Sequence, residues 1–330
     1  LRLHYVDWGN VEAPPLLLVP ADGPGEFVVP PPLPLQEPIT KLRVTAFRDY
    51  IACPYRFYLR HIRGLKAVSD QAVELAGMQF GSLAHRVLER FARHEMRDCP
   101  DADTIATFLE EQLGREKTGS FGERRPPAVL SQVEQLRQRL IRFATWQAEQ
   151  VRDGWRIIAE HTEKKLLYEL DVDGTPLTLT GKIDRIDQRE GQYRILDYKT
   201  GDSGSNPESS HRAGPKGEKT WVDLQLPLYR LLAEPLGVTG DITLGYIRLP
   251  KTLSEIGLAV AEWTPAEIDE AIETARMIVR QIRKGIFWPP RDPDSRYTDD
   301  FAAICMDGYL THKELIASSP EGSGECYVKL

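Results

Sequence analysis

The 330-residue chain is 41% hydrophobic and carries a net charge of −7. That balance allows one large core or two modest ones and excludes a wholly basic nucleic-acid coat. No apolar run approaches the roughly 20 residues a membrane helix needs, and no short basic segment leads into an apolar signal region. Cys53, Cys99, Cys305 and Cys326 contain no CxxC pair, which fits a reducing cytoplasm better than a disulfide framework. The opening LRLHYVDWGN reads as the start of a piece of a longer polypeptide.

Residues 1–40 hold nine prolines between Pro14 and Pro38 and read as an extended leader or linker. From Lys41 to Lys66, seven cations stand against the single acid Asp49, interleaved with Phe47, Tyr50, Tyr55, Phe57 and Tyr58. Such a mixture suits a phosphate backbone with stacked bases. It suits equally an amphipathic helix, capped by Thr45, whose aromatics are core and whose arginines form its wet face. A second helix runs from about Ala72, with Phe80, Leu83, Ala84, Val87, Leu88 and Phe91 at three-and-four spacing and His85 in its middle. Helical stretches at about 103–117 and 128–153, separated by Pro126-Pro127, make a helical insertion over about 95–160.

The period then changes. KLLYEL at 165–170 and PLTLTGKID at 176–184 flank Asp173-Gly174, a hairpin signal, and a second hairpin turning at Glu190-Gly191 follows without a break, giving three antiparallel strands. Pairing outward from a two-residue loop sets Arg189 against Gln192 and Asp184 against Asp197, with Lys199 on the same face as Asp197. Like charges so placed destabilise a sheet. Two readings stay open: Lys199 neutralises the aspartates on a solvated edge, or a divalent cation, which wants oxygen ligands, cancels their repulsion. Residues 201–219 read as a polar loop, followed by a helix from about Val222 to Ala233, a strand at 241–249 and an amphipathic helix from Pro265 to Lys284. This order predicts an α/β sandwich around a central mixed sheet.

Four segments taken together, GSLAH (81–85), GKIDRID (181–187), ILDYKTG (195–201) and QLPLY (225–229), resemble the RecB-like branch of the PD-(D/E)XK nucleases. In particular they resemble the AddB-type nuclease domain of bacterial helicase–nucleases, over roughly residues 43–305. The resemblance implies a restriction-endonuclease-like α/β core within a domain at 41–310, followed by a tail at 311–330. It implies metal ligation by His85, Asp184, Asp197 and the backbone carbonyl of Tyr198. Lys199 takes the place of the catalytic lysine, and Gln225 and Tyr229 that of a Q-x-x-x-Y pair sharing one helix face near the site. Ile183 stands where the family motif has proline, and Glu89, a turn beyond His85, is not counted as a ligand. The implied activity is Mg²⁺-dependent DNA hydrolysis, with Mn²⁺ able to substitute, by an exonuclease acting on single-stranded ends. A helicase partner in DNA repair, a cytoplasmic location and no membrane association go with it. A non-catalytic DNA-binding module with a nuclease fold is the alternative, against which the intact His85, Asp184, Asp197 and Lys199 speak. A hydrolase of carbohydrates or nucleotides using paired carboxylates would need two acids of separated pKa, which a lysine on the same face does not provide.

The resemblance also bears on the cysteines. AddB-type domains hold an iron–sulfur cluster with one cysteine in a C-P-x-x-F segment and three at C-x2-C-x5-C spacing. Cys53 stands in CPYRF, but aligning Cys305 with the last ligand puts Arg296 and Asp299 at the other two positions. With two of four thiolates missing, the cluster is expected to be absent. Phe287–Trp288 and Phe301–Ile304 are then expected to pack back on Tyr55–Tyr58 and hold the ends together by apolar contact.

Overall fold

The computed structural model describes residues 29, 31–65, 77–121, 127–202, 205–215, 217–291 and 301–305. The leader at 1–28, Lys66, Arg296, Asp299, Cys326 and the 311–330 tail lie outside the described residues. In chain order the elements are β1 (Lys41–Arg43), α1 (Ala46–Ala52), α2 (Pro54–Phe57), α3 (Gly77–Arg93), α4 (Ala102–Phe121) and α5 (Pro127–Arg152). There follow β2 (Arg156–Ile157), β3 (Lys165–Val172), β4 (Thr175–Lys182), β5 (Arg185–Arg189), β6 (Gln192–Lys199), α6 (Pro207–His211), β7 (Arg212–Ala213) and β8 (Thr220–Trp221). The last are α7 (Gln225–Ala233), β9 (Ile242–Arg248), β10 (Gly257–Val260), α8 (Pro265–Arg283) and α9 (Ala302–Cys305). Two compact units result: residues 40–45 with 71–277, and residues 1–39 with 46–70 and 278–330.

The first unit is α/β with a mixed central sheet, as the order of elements predicts. Its five-stranded sheet runs β10-β9-β6-β5-β2, with β6 and β9 parallel and the other pairs antiparallel; a separate three-stranded sheet runs β1-β4-β3. Both hairpins close through two residues of positive φ, Asp173 (56°) with Gly174 (77°) and Glu190 (49°) with Gly191 (82°). Such turns carry the twist that adjoining antiparallel strands need. Register follows from them: Val172 faces Thr175 and Lys165 faces Lys182 in one hairpin, while Arg189 faces Gln192 and Arg185 faces Leu196 in the other.

The expected continuous strand at 176–184 is corrected. β4 ends at Lys182, β5 begins at Arg185, and the chain passes from one sheet to the other at Ile183 and Asp184. The three-strand meander is therefore two hairpins in separate sheets. Ile183 leaves the ladder because its carbonyl accepts from the Glu163 N–H at 2.9 Å, while its side chain is fully buried. Asp184 leaves it because its carboxylate, not a backbone carbonyl, accepts from the Tyr198 N–H at 2.8 Å. The polar stretch at 201–219 is corrected too, since it contains α6 and the β7–β8 ribbon.

A core formed by α3, α4 and α5 extends onto the central sheet through Leu196, Tyr198 and Ile247. The apolar spacing on α3 explains it: Leu83, Ala84, Val87, Leu88 and Phe91 are all fully buried. Buried Arg139 on α5 donates to the Thr200 carbonyl at 2.8 Å, the Leu249 carbonyl at 3.0 Å and the Asp202 carboxylate at 2.6 Å, and so braces the segment after β6. Among the described residues no helix is long and apolar enough to cross a membrane.

In the second unit α1 and α2 are separated at Cys53, and a π-helical segment, Tyr58–Ile62, follows α2. Phe47, Tyr50, Tyr55, Phe57 and Tyr58 are all buried there. Trp288 meets the Tyr55 ring edge-on at 5.5 Å, Phe287 lies 5.4 Å from Tyr58, and the Tyr50 hydroxyl donates to the Ile286 carbonyl at 2.7 Å. The expected return of Phe287 and Trp288 onto this segment is thus present, and Phe301 lies under Arg60, with 5.3 Å from guanidinium carbon to ring centroid. Cys53 and Cys305 are buried and, among the described residues, form no disulfide; Cys53 Sγ accepts from the Arg291 N–H at 3.2 Å. Of the two readings of this segment the structure bears out the one with a buried aromatic face: its aromatics are core, Arg56 is 1% exposed and donates to the Arg291 carbonyl, and Arg60 pairs with Asp49 at 3.1 Å.

Candidate functional site

The site is built where the two hairpins meet. Counting outward from Asp173-Gly174 past Lys165 and Lys182 brings Glu163 opposite Asp184, while counting outward from Glu190-Gly191 brings Asp197 opposite the same residue. Asp184 lies just beyond both ladders, so its carboxylate is free of sheet geometry and can face either acid. β6 delivers Asp197 and Lys199 on one face. The middle of α3 delivers His85, whose ring meets the Tyr198 ring edge-on at 5.8 Å. α3 passes close to the end of β6 at Gly81, where a Cβ would lie 3.4 Å from Thr200 Oγ1, an ordinary van der Waals contact.

Two sub-clusters share this place. His85 Nδ1 lies 3.5 Å from Glu163 Oε1 and 3.5 Å from Asp184 Oδ1, and one donor atom from each of the three residues lies within 4.8 Å of the others. They open on a cleft of about 400 Å³ that Glu89 and Lys182 also line. Lys182 pairs with Glu163, and Glu89 pairs with Arg93 at 2.7 Å. Asp197 makes a different set of contacts. Its Oδ2 lies 2.8 Å from Lys199 Nζ, while its Oδ1 accepts from Gln225 Nε2 at 2.9 Å and lies 3.5 Å from the Tyr229 hydroxyl. Gln225 also donates to that hydroxyl at 2.6 Å, as residues four apart on α7 can.

The sequence-predicted residues His85, Asp184, Asp197, Tyr198, Lys199, Gln225 and Tyr229 are therefore all brought to this region. Glu163 was not among them. It lies in no motif, in a turn ahead of β3 with a left-handed φ of 55°. Its signal was the register of the Asp173-Gly174 hairpin, carried two residues past the end of the ladder.

Electrostatics follow from burial of several acids together. Desolvation and then Asp197 raise the Asp184 carboxyl to about 6. Burial would lower the His85 imidazole, but hydrogen bonding to Asp184 and Glu163 outweighs it and raises the group to about 10. Desolvation works against the Glu163 anion too, yet His85 and Lys182 hold its pKa below the usual carboxylate range. Burial likewise opposes the Lys199 ammonium, and Asp197 more than compensates, so its pKa is raised and the side chain stays charged. Burial and then Asp197 keep the Tyr229 phenol un-ionised.

A cation between these acids would take the place of the proton that Asp184 and Glu163 hold on His85. One imidazole nitrogen and two carboxylates within reach of one another form a donor set suited to a hard or borderline divalent cation. The residues present therefore fit a metal centre at His85, Glu163 and Asp184.

The chain is similar to several known proteins. An ATP-dependent helicase/deoxyribonuclease subunit of Acetivibrio thermocellus is 27% identical over 191 residues, 48% of this chain and 15% of that protein. Its namesake from Clostridium acetobutylicum is 25% identical over 189 residues, 49% of this chain and again 15% of the relative. The chain thus spans about 15% of the length of the curated relatives it matches. A crystal structure from Eubacterium rectale, provisionally described as an exonuclease, aligns with 82% of this chain and 89% of its own at a TM-score of 0.44 and 13% identity. The profile of the PD-(D/E)XK nuclease superfamily matches residues 41–305, a span that holds both hairpins, α3 and α7, and the chain belongs to that superfamily.

Proposed function

We propose that the chain is a divalent-metal-dependent deoxyribonuclease that hydrolyses phosphodiester bonds as an exonuclease on single-stranded ends, within a helicase–nuclease or DNA-repair system. The observation that carries this reading is the placement of a charged lysine, Lys199, against Asp197 while His85, Glu163 and Asp184 gather as a donor set on the same region of the fold. His85, Asp184 and Asp197 with the Tyr198 carbonyl would hold Mg²⁺, or Mn²⁺ in its place, and Glu163 joins them as a further donor. When bound, the metal supplies Lewis-acid polarisation of a phosphate oxygen and a lowered pKa for water.

The chain's own groups do the rest. Lys199, held cationic by Asp197, faces the scissile phosphate and offsets negative charge as it develops, a role in orientation and electrostatics. An ammonium of raised pKa is a poor general base. Gln225 and Tyr229 fix the rotamer of Asp197 by engaging Oδ1, while Lys199 Nζ lies against Oδ2, whose second lone pair is the one a metal would take. Glu163 and Lys182 form the wall of the cleft beside Asp184.

The test is end-labelled single-stranded DNA incubated with the protein in Mg²⁺, Mn²⁺, Ca²⁺ or chelator. Cleavage in Mg²⁺ and Mn²⁺ is expected, with loss of at least about 10²-fold in Asp197→Ala and Lys199→Ala while both variants remain folded. DNA binding without cleavage by the wild type in any metal would establish a non-catalytic module instead.

A further inference from the structure

Buried in the stretch that the sequence presents as a polar loop is His211, with none of its surface exposed. It ends α6, and its ring sits between Tyr246 and the Trp263 ring, which it meets edge-on at 5.2 Å. Nδ1 lies 2.8 Å from the Asp223 carbonyl oxygen. A carbonyl can only accept, so Nδ1 carries the proton and Nε2 presents a lone pair. That lone pair accepts from the Tyr246 hydroxyl at 2.7 Å. Burial, the largest influence on this imidazole, lowers its pKa and favours the neutral ring that such bonding needs.

Each partner of His211 leads to the same carboxylate. Tyr246 pairs with Asp197 in the parallel β6–β9 register, and Lys199 Nζ lies 4.7 Å from the centroid of the Tyr246 ring. Lys199 in turn meets Asp197 Oδ2 at 2.8 Å. On the other side, Asp223 Oδ1 accepts from the Gln225 N–H at 2.8 Å and so orients the first residue of α7, whose side-chain amide meets Asp197 Oδ1 at 2.9 Å. The two arms close on the two oxygens of one side chain.

We propose that His211 is a positioning residue that, through Tyr246 and Asp223, fixes Lys199 and Gln225 on opposite oxygens of Asp197. The inference rests on the reading of Asp197 and Lys199 as parts of a phosphodiesterase site. His211 touches neither substrate nor metal in this arrangement; it acts by holding one tautomer in a closed ring of contacts. A cation over an aromatic face is weakly directional alone, and tying the phenol to an imidazole turns the ring into a fixed platform.

The test begins without any activity. In metal-free wild-type protein carrying ¹⁵N-histidine and ¹³C,¹⁵N-lysine, His211 is expected as the Nδ1–H tautomer at neutral pH, and the Lys199 ε-methylene is expected upfield under the Tyr246 ring current. In His211→Asn, and in Tyr246→Phe where only one oxygen is lost, the Lys199 signal and the Gln225 side-chain amide should move. The midpoint of thermal unfolding of Tyr246→Phe should fall by only a few degrees, the cost of leaving the buried His211 Nε2 without its donor, with the protein still folded. On single-stranded DNA in Mg²⁺, kcat should fall by about 10- to 100-fold, with DNA affinity unchanged. An Nε2–H tautomer, or Lys199 and Gln225 signals that stay in place in both variants, would overturn the inference. A wild-type protein that shows the tautomer and the shifts but cuts no DNA would instead refute the nuclease reading and leave the positioning network standing.

Discussion

Asp184 is the acid on which the fold and the chemistry disagree. It is buried against Asp197 and Glu163, and even the neighbouring imidazolium leaves its native pKa at about 6, above the ordinary value of 3.8. An acid whose pKa is raised on folding favours the native state when protonated, so its contribution to stability falls as pH rises from about 4 to about 6 and stays low above that. Asp184→Asn should therefore raise the unfolding free energy of the metal-free protein, on the order of 1 kcal/mol at pH 7–8, with the difference vanishing near pH 4. Thermal melts in chelator across that range check it. A variant less stable than wild type at pH 8 would show that the carboxylate is needed for the bond from the Tyr198 N–H. Arg185 and Asp187, one and three residues further along the chain, make the opposite case. Both are buried, but they are joined to each other at 2.6 Å and 2.9 Å, and that acid is held by structure rather than reserved for a ligand.

Among the elements, α7 shows how a helix is brought to the site. A Cβ on Gly181 of β4 would collide with the Leu232 side chain, press on Val44 and come 3.7 Å from the Tyr229 ring. The absence of a side chain there lets α7 lie close enough for Tyr229 and Gln225 to reach Asp197. Gly181→Ala should cost about 1–3 kcal/mol through overpacking and lower DNA cleavage out of proportion, because Tyr229 is displaced with Leu232. Chemical denaturation paired with kcat checks this, and full activity in a destabilised variant would separate packing from positioning. Most of these elements were legible in advance, since the apolar spacing of α3, α5 and α8 and the two turn signals depend on local chemistry alone. The crossing at Ile183 was not. Nothing in GKID marks the point at which a strand stops pairing, because the cause is a carbonyl captured by the Glu163 amide, distant in sequence. The same non-local cause hid Glu163 and placed α6 within apparent loop, where burial of His211 and Trp221 outweighs a polar composition.

Across the chain, the basic segment after residue 40 shows the limit of reading charge from composition. Its cations interleave with aromatics, a pattern shared by nucleic-acid surfaces and by helices that bury one face. The structure separates the two by giving Arg56 a backbone carbonyl and Arg60 a carboxylate and a ring. Arg56→Ala should consequently lower stability by about 1–3 kcal/mol, the cost of a buried acceptor left unsatisfied together with lost packing. It should leave the dependence of DNA affinity on salt unchanged, since no phosphate contact is removed. Melting curves and a salt titration of binding check both halves. A reduced salt slope would return Arg56 to the DNA path.

The bond from the Tyr198 N–H to the Asp184 carboxylate has one more consequence. Along the rest of β6 the amides on that edge pair with backbone, whose acceptors do not change with the state of the site. At Tyr198 the acceptor is a group whose protonation and occupancy are what an investigator wishes to know. This single amide is therefore a native reporter: its proton chemical shift and its exchange with deuterium should respond to anything that captures Asp184, while neighbouring amides on the strand stay silent. Loading of the site could be followed at one resonance, with no substrate present and no label attached to the protein beyond nitrogen-15.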